Sequence, residues 1–300
     1  MKPDDPVRRR RPRAVVAAVL CSLLFLAGCG GAPNADGPTA YADGEGPTVI
    51  GTDGSAESRV VAALYEELLA DAGVRVRRAG TRYASPADTA RAVVAGRLGL
   101  APAYESTMLR ALPGGQTVAG NMAATLSTAL PPGVVALPPA EAENGVVLAV
   151  TRATAHRYGL RTLADLGRAD VRGGRRTLGG PAAHDPDAPS AAALEKAYGV
   201  RLTEAGTSAT ADVLVLRGTD PAIPGDGLVV LTDPESTVPP EHVFPLIGAP
   251  YAGLSARKAL ARLNSRLTTV RLAALAASVE SGASPSQTAR KWLRSNGLAD

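Results

Sequence analysis

The chain has 300 residues, 45% apolar, 20% charged and only 3% aromatic, with one Trp, two Phe and seven Tyr. That length exceeds one minimal core and suits a two-lobed protein with an aliphatic interior. The formal charge of +4 is misleading, because Lys2, Arg8, Arg9, Arg10, Arg11 and Arg13 outnumber Asp4 and Asp5 at the N-terminus and the rest of the chain is balanced. No basic stripe interleaved with aromatics follows, which argues against nucleic-acid binding. Cys21 and Cys29 are the only cysteines, so there is no disulfide framework and no Cys/His spacing typical of zinc.

The N-terminus reads as a leader. "RRRRPR" precedes an apolar stretch from Ala14 to Ala27, too short to span a bilayer and suited to a signal peptide over 1–28. Leu26-Ala27-Gly28-Cys29 resembles the bacterial lipobox, which implies lipidation of Cys29. Residues 29–47 are rich in Gly, Pro and Asp and read as a flexible tether.

The mature chain then alternates. "TVIG" (48–51) predicts a strand. Val60, Val61, Leu64, Leu68 and Leu69 recur at helical spacing before a stop at Gly73. "VRVRR" (74–78) alternates like a strand. Ser85 and Pro86 open a helix that Gly96 closes. "LGLAP" (98–102) predicts the next strand, and this order suggests a largely parallel sheet. The proline-rich segment 130–145 reads as a crossing. A second unit follows, with strands "GVVLAVT", "RRTLGG", "ADVLVLR" and "GLVVLTD" and helices near "RATAHRYG", "TLADLG" and "SAAALEKAYG". Residues 255–296 read as helical, ending in a capping box at Ser284, Pro285 and Gln287.

Catalytic signatures are weak. "SARK" (255–258) matches S-x-x-K without its companion motifs and reads first as a Ser capping a helix. His156, His184 and His242 are far apart in sequence, and "HDPD" (184–187) reads as a loop able to attract a cation.

Taken in order, several segments resemble one family, the substrate-binding proteins of ABC importers for glycine betaine, choline and related quaternary-ammonium solutes. They are "VIGTDGSAES", "AVVAGRLGLAPAYESTML", "ENGVVLAVTRATAHRYGLRTLADL", "AAALEKAYGV", "RGTD", "LVVLTDPESTVPPEHVFPLIG" and "SPSQTARKWLRSNGL". The resemblance implies an α/β, two-lobed, type II periplasmic-binding-protein fold with the ligand cleft between lobes. Lobe 1 would be 48–145 plus 232–300, and lobe 2 would be 146–231. It implies no catalysis and no cofactor. The partners would be a small cationic solute, a permease and an ATPase, with the protein lipid-anchored on the extracytoplasmic face.

In that family aromatic faces box the ammonium and basic groups hold the betaine carboxylate. By resemblance, Tyr104 matches a box tyrosine and Thr107 its neighbouring threonine. Other positions depart. Asp53 stands where Lys is common, Asp187 near a common Arg, Val146 and Glu241 where aromatics are common, and Arg217 near a third. The candidate ligand-binding residues are Asp53, Tyr104, Thr107, Asn144, Asp187, Thr219 and Glu241. They imply poor glycine betaine binding, with repulsion of a carboxylate by Asp53 and Asp187. A cation lacking a carboxylate, such as choline or a protonated amine, is expected instead, held by Tyr104 and one or more of Asp53, Asp187 and Glu241. The alternatives are a core role for Tyr104, a binding fold retained as an interaction or sensory module, and a lipoprotein enzyme.

Overall fold

A computed structural model describes residues 46–113, 122–173 and 176–299. The leader, Cys29 and the tether up to residue 45 lie outside the described residues.

The chain runs β1 (Thr48–Ile50), α1 (Ala56–Asp71), β2 (Val76–Arg78), α2 (Pro86–Val94), β3 (Leu100–Tyr104), α3 (Glu105–Ala111), α4 (Met122–Ala129) and β4 (Val134–Ala136). After a crossing come β5 (Val146–Thr151), α5 (Arg152–Tyr158), α6 (Leu163–Gly173), β6 (Arg176–Gly179), α7 (Ala191–Tyr198), β7 (Leu202–Glu204), β8 (Val213–Arg217), α8 (Ala222–Gly225) and β9 (Leu228–Val230). The chain then returns to β10 (Val243–Gly248) and ends in α9 (Leu254–Asn264), α10 (Thr269–Glu280) and α11 (Pro285–Ser295).

Two five-stranded sheets follow one plan, β2-β1-β3-β10-β4 and β7-β6-β8-β5-β9. In each, three parallel strands meet a fourth that runs against its neighbours: β10 beside β3 and β4, and β5 beside β8 and β9. The sheets are therefore mixed, not largely parallel. The reason is topological. The parallel strands β3 and β8 run toward the crossings, whereas β5 and β10 leave them and must run the other way. The crossings are joined by an isolated antiparallel bridge between Glu143 and His242.

The first sheet is covered on both faces, as strand alternation dictates. Leu100, Tyr104, Val243 and Ile247 face a core shared with α1, α9, α10 and α11. Ala101, Ala103, Phe244 and Leu246 face α2, α3 and α4. The helical stripe of α1 is wholly buried, each such side chain contributing about 1.5–3 kcal/mol. Leu293 of α11 is buried in the same core, and Trp292 packs against it. A separate cluster around Leu148, Leu166, Leu194 and Val213 holds the second sheet.

Local details depart from expectation at three places. Ser284 sits at the N-cap of α11 but makes no capping bond, and Arg78 Nη2 donates to Ser286 Oγ at 2.5 Å there. Gly253, not Ser255, caps α9. β10 is a buried central strand despite Pro245, because its register sets Pro245 opposite Pro102. The two missing N–H donors fall on one rung of the ladder.

Candidate functional site

Strand ends converge between the sheets. β3 ends at Tyr104 and β8 at Arg217, while β5 and β10 begin beside them. Carboxyl ends of parallel strands are where α/β folds place ligands. α1 also starts here. Ser58 N donates to the N-cap Ser55 Oγ at 3.1 Å, and Ser55 N donates to Asp53 Oδ1 at 2.8 Å. The first turn of α1 carries Glu57, 6% exposed.

Asp53, Tyr104, Thr107, Asn144, Thr219 and Glu241 line one cavity of about 480 Å³, together with Glu57, Arg217, Asp220 and Glu280. Its wall is acidic, with one arginine, and its volume suits a small solute. Tyr104 is the one aromatic among the described residues lining it. The Tyr104 hydroxyl donates to Glu57 Oε1. The Thr219 hydroxyl lies 2.8 Å from both Glu57 Oε2 and Asn144 Oδ1.

Glu57 has no basic partner within ion-pair distance among the described residues. Burial pushes its carboxyl above the usual range, while the bonds from Tyr104 and Thr219 pull it back. Burial and the Glu57 charge push the Tyr104 phenol well up, so it stays a neutral donor. Sequence reasoning missed Glu57. A first-turn Glu reads as a complement to the helix dipole, and its partners stand 47 and 162 residues away.

The other expected acids are engaged by the protein. Glu241, 1% exposed, caps α3, whose own N-cap Tyr104 makes no side-chain capping bond. Its Oε2 accepts from Ser106 N at 2.5 Å, and its Oε1 accepts from Thr107 N at 3.2 Å and from the Thr107 hydroxyl. Burial raises its carboxyl, with these bonds opposing. Asp187 lies outside the cavity lining and pairs with Arg110 of α3. The Ser106 hydroxyl is 2.6 Å from both Asp187 Oδ2 and Glu241 Oε2. Asp53 closes its turn at α1. The two aspartates of the expected repulsive pair are placed differently: Asp53 lines the cavity and accepts from Ser55 N, whereas Asp187 lies outside the lining and pairs with Arg110. The "HDPD" loop likewise offers no free acid, since Asp185 pairs with Arg217.

Val146 lines a different cavity of about 570 Å³, walled by Leu148, Leu163, Leu231, Val238 and Pro239. Its acids are already bonded: Asp233 Oδ2 accepts from Val238 N at 2.8 Å, and Glu143 Oε1 accepts from Glu241 N at 3.2 Å. Among the described residues no cluster of His, Cys, Asp or Glu could hold a metal, and no helix is long and apolar enough to cross a membrane.

The family model for the substrate-binding domain of ABC-type glycine betaine transport systems matches residues 46–295. A solved glycine betaine/carnitine/choline ABC transporter structure is 17% identical, covers 85% of this chain and 99% of its own, and has a TM-score of 0.73. Apo YehZ from Escherichia coli is 20% identical, covers 84% and 99% respectively, and has a TM-score of 0.66. Both establish the two-lobed α/β fold. None of the curated proteins matches in sequence. With its fold and 250 matched residues, the chain belongs to the substrate-binding domains of ABC-type glycine betaine transport systems, extracytoplasmic receptors that bind solutes for a permease and an ATPase and are not enzymes.

Proposed function

We propose that the protein receives a small organic cation lacking a carboxylate, choline or a protonated amine, and delivers it to an ABC permease from a lipid anchor at Cys29. The observation that supports this most is Glu57. It is a buried acid on the cavity wall with no ion-pair contact among the described residues, and it is hydrogen-bonded to the one aromatic among the described residues of that wall. A quaternary ammonium donates no hydrogen bonds, so a π-face and a nearby negative charge are what can hold it. Calorimetry with choline, putrescine and glycine betaine tests the reading. Choline or putrescine is expected to bind, with affinity reduced in Tyr104→Ala. Tighter binding of glycine betaine than of either cation would sink it.

The anchor is tested separately. Cys29→Ser is expected to release the protein into the medium or leave it unprocessed. Membrane partitioning with unchanged mass would contradict the assignment. A second reading, an interaction or sensory module that binds no solute, gains support from the single aromatic in the cavity wall. Absence of heat with all three ligands would favour it.

A further inference from the structure

The C-terminal helices gather positive charge that the balance of the whole chain conceals. Residues 254–299 hold eight basic residues and one acid, Glu280, and all eight basic side chains are exposed. Among the described residues only Arg290 of the eight meets a carboxylate, Glu67 Oε2 at 2.9 Å. Leu254, Lys258 and Arg262 recur every four residues on α9, and Arg266 continues the row just past its end. They form an outward stripe opposite the buried Ala256, Ala259, Leu260 and Leu263. Two bonds widen the stripe. Arg262 Nη2 donates to Leu298 O at 3.3 Å, just beyond α11 with its exposed Lys291 and Arg294, and Arg271 Nη1 of α10 donates to Arg266 O at 2.5 Å. The chain also enters the fold here, since Gly46 lines a small cavity with Tyr251, Gly253, Leu254 and Ser255. Leu254 itself is 69% exposed.

We propose that this face of the first sheet's helical layer rests on the headgroups of an anionic phospholipid membrane, with Leu254 reaching the headgroup boundary. The inference rests on the reading of Cys29 as the anchor. A tether over 29–47 delivers the start of α9 to the bilayer, because residue 46 adjoins it. One lipid chain holds a protein only weakly and needs a second signal, which a basic patch supplies. Exposed guanidinium and ammonium groups are drawn to lipid phosphates, and the attraction fades within a Debye length. The stripe itself carries no aromatic, so it offers the bases of a nucleic acid nothing to stack on.

Lysines make the test specific, since the described residues hold three: Lys258 on the stripe, Lys291 on α11 and Lys196 on α7 beside the second sheet. The full-length chain, held on vesicles by its N-terminal leader, is acetylated with a water-soluble amine reagent and mapped by mass spectrometry. On phosphatidylcholine vesicles containing about a third phosphatidylglycerol, Lys258 is expected to react at least about threefold more slowly than on pure phosphatidylcholine, while Lys196 reacts equally on both. The protection should disappear in about 1 M salt, where the Debye length is about 3 Å. It should also disappear in the double variant Arg262→Glu, Arg266→Glu, and Arg266→Glu alone should weaken it if the double variant fails to fold. Equal rates at Lys258 on the two vesicles would overturn the proposal and leave the face to an acidic protein. Protection shared by Lys196, or protection that persists in the folded charge-reversed variant, would overturn it as well. The leader holds the chain on the vesicle whether or not Cys29 is lipidated, so failure of the anchor shows only in the Cys29→Ser test.

Discussion

Two places at the cleft carry buried acids and treat them in opposite ways. On the loop before α7, Asp185 and Asp187 each face an arginine. At the start of α1, Glu57 accepts from two hydroxyls and lines a cavity, with no ion-pair contact among the described residues. The residue chemistry is the same, and the partner decides the role. A carboxylate in contact with a guanidinium is engaged by it, whereas Glu57, hydrogen-bonded to hydroxyls and reached by Arg217 only through space, still attracts a cation.

The comparison breaks most visibly on the paired side. Arg110→Ala strands Asp187, whose side chain is 3% exposed, and is expected to cost about 3 kcal/mol, the low end for breaking a buried ion pair. Chemical denaturation measures it. A loss below about 1 kcal/mol would place the pair among surface bridges.

On the unpaired side, Glu57→Gln keeps the shape and removes the charge. Choline affinity is expected to fall on the order of a hundredfold, about 2.7 kcal/mol. Folding stability should change little, because relief of a buried charge offsets the weakened bonds from Tyr104 and Thr219. Tyr104→Phe keeps the ring and is expected to cost less than about tenfold, whereas Tyr104→Ala loses the cation–π contact as well, about 0.5–2 kcal/mol.

The smallest effects are those of pH. Glu57 must be ionised to attract a cation, and its carboxyl sits above 4.5, so choline affinity should rise with pH through that raised value and flatten in Glu57→Gln. His242 is raised by its bond to Glu105, with burial opposing. Its stabilisation is present in full below about pH 6.5 and is lost as pH climbs through the raised value. His242→Gln should remove that slope from stability measured against pH.

Much of this architecture can be read from local pattern. The stripe of α1, the Ser85 cap of α2 and the αL glycine ending α7 at Gly199 are all short-range signals. β10 is not legible, because Pro245 speaks against a central strand until Pro102 is known to lie opposite. β7, three residues at a sheet edge, is too short to stand out. Candidate site residues could be named only through the family resemblance; Asp53, Tyr104, Thr107, Asn144, Thr219 and Glu241 do share one cavity wall, and Asp187 does not. The partners of these acids could not be read. They stand far away in sequence: Arg110 for Asp187 is 77 residues off, and Ser106 for Glu241 is 135 residues off.

The most direct measurement is a choline titration of wild type and Glu57→Gln by calorimetry at a pH above the Glu57 value. The account predicts saturable heat for wild type and a loss of affinity on the order of a hundredfold for the variant. Equal affinity in the two proteins would contradict it.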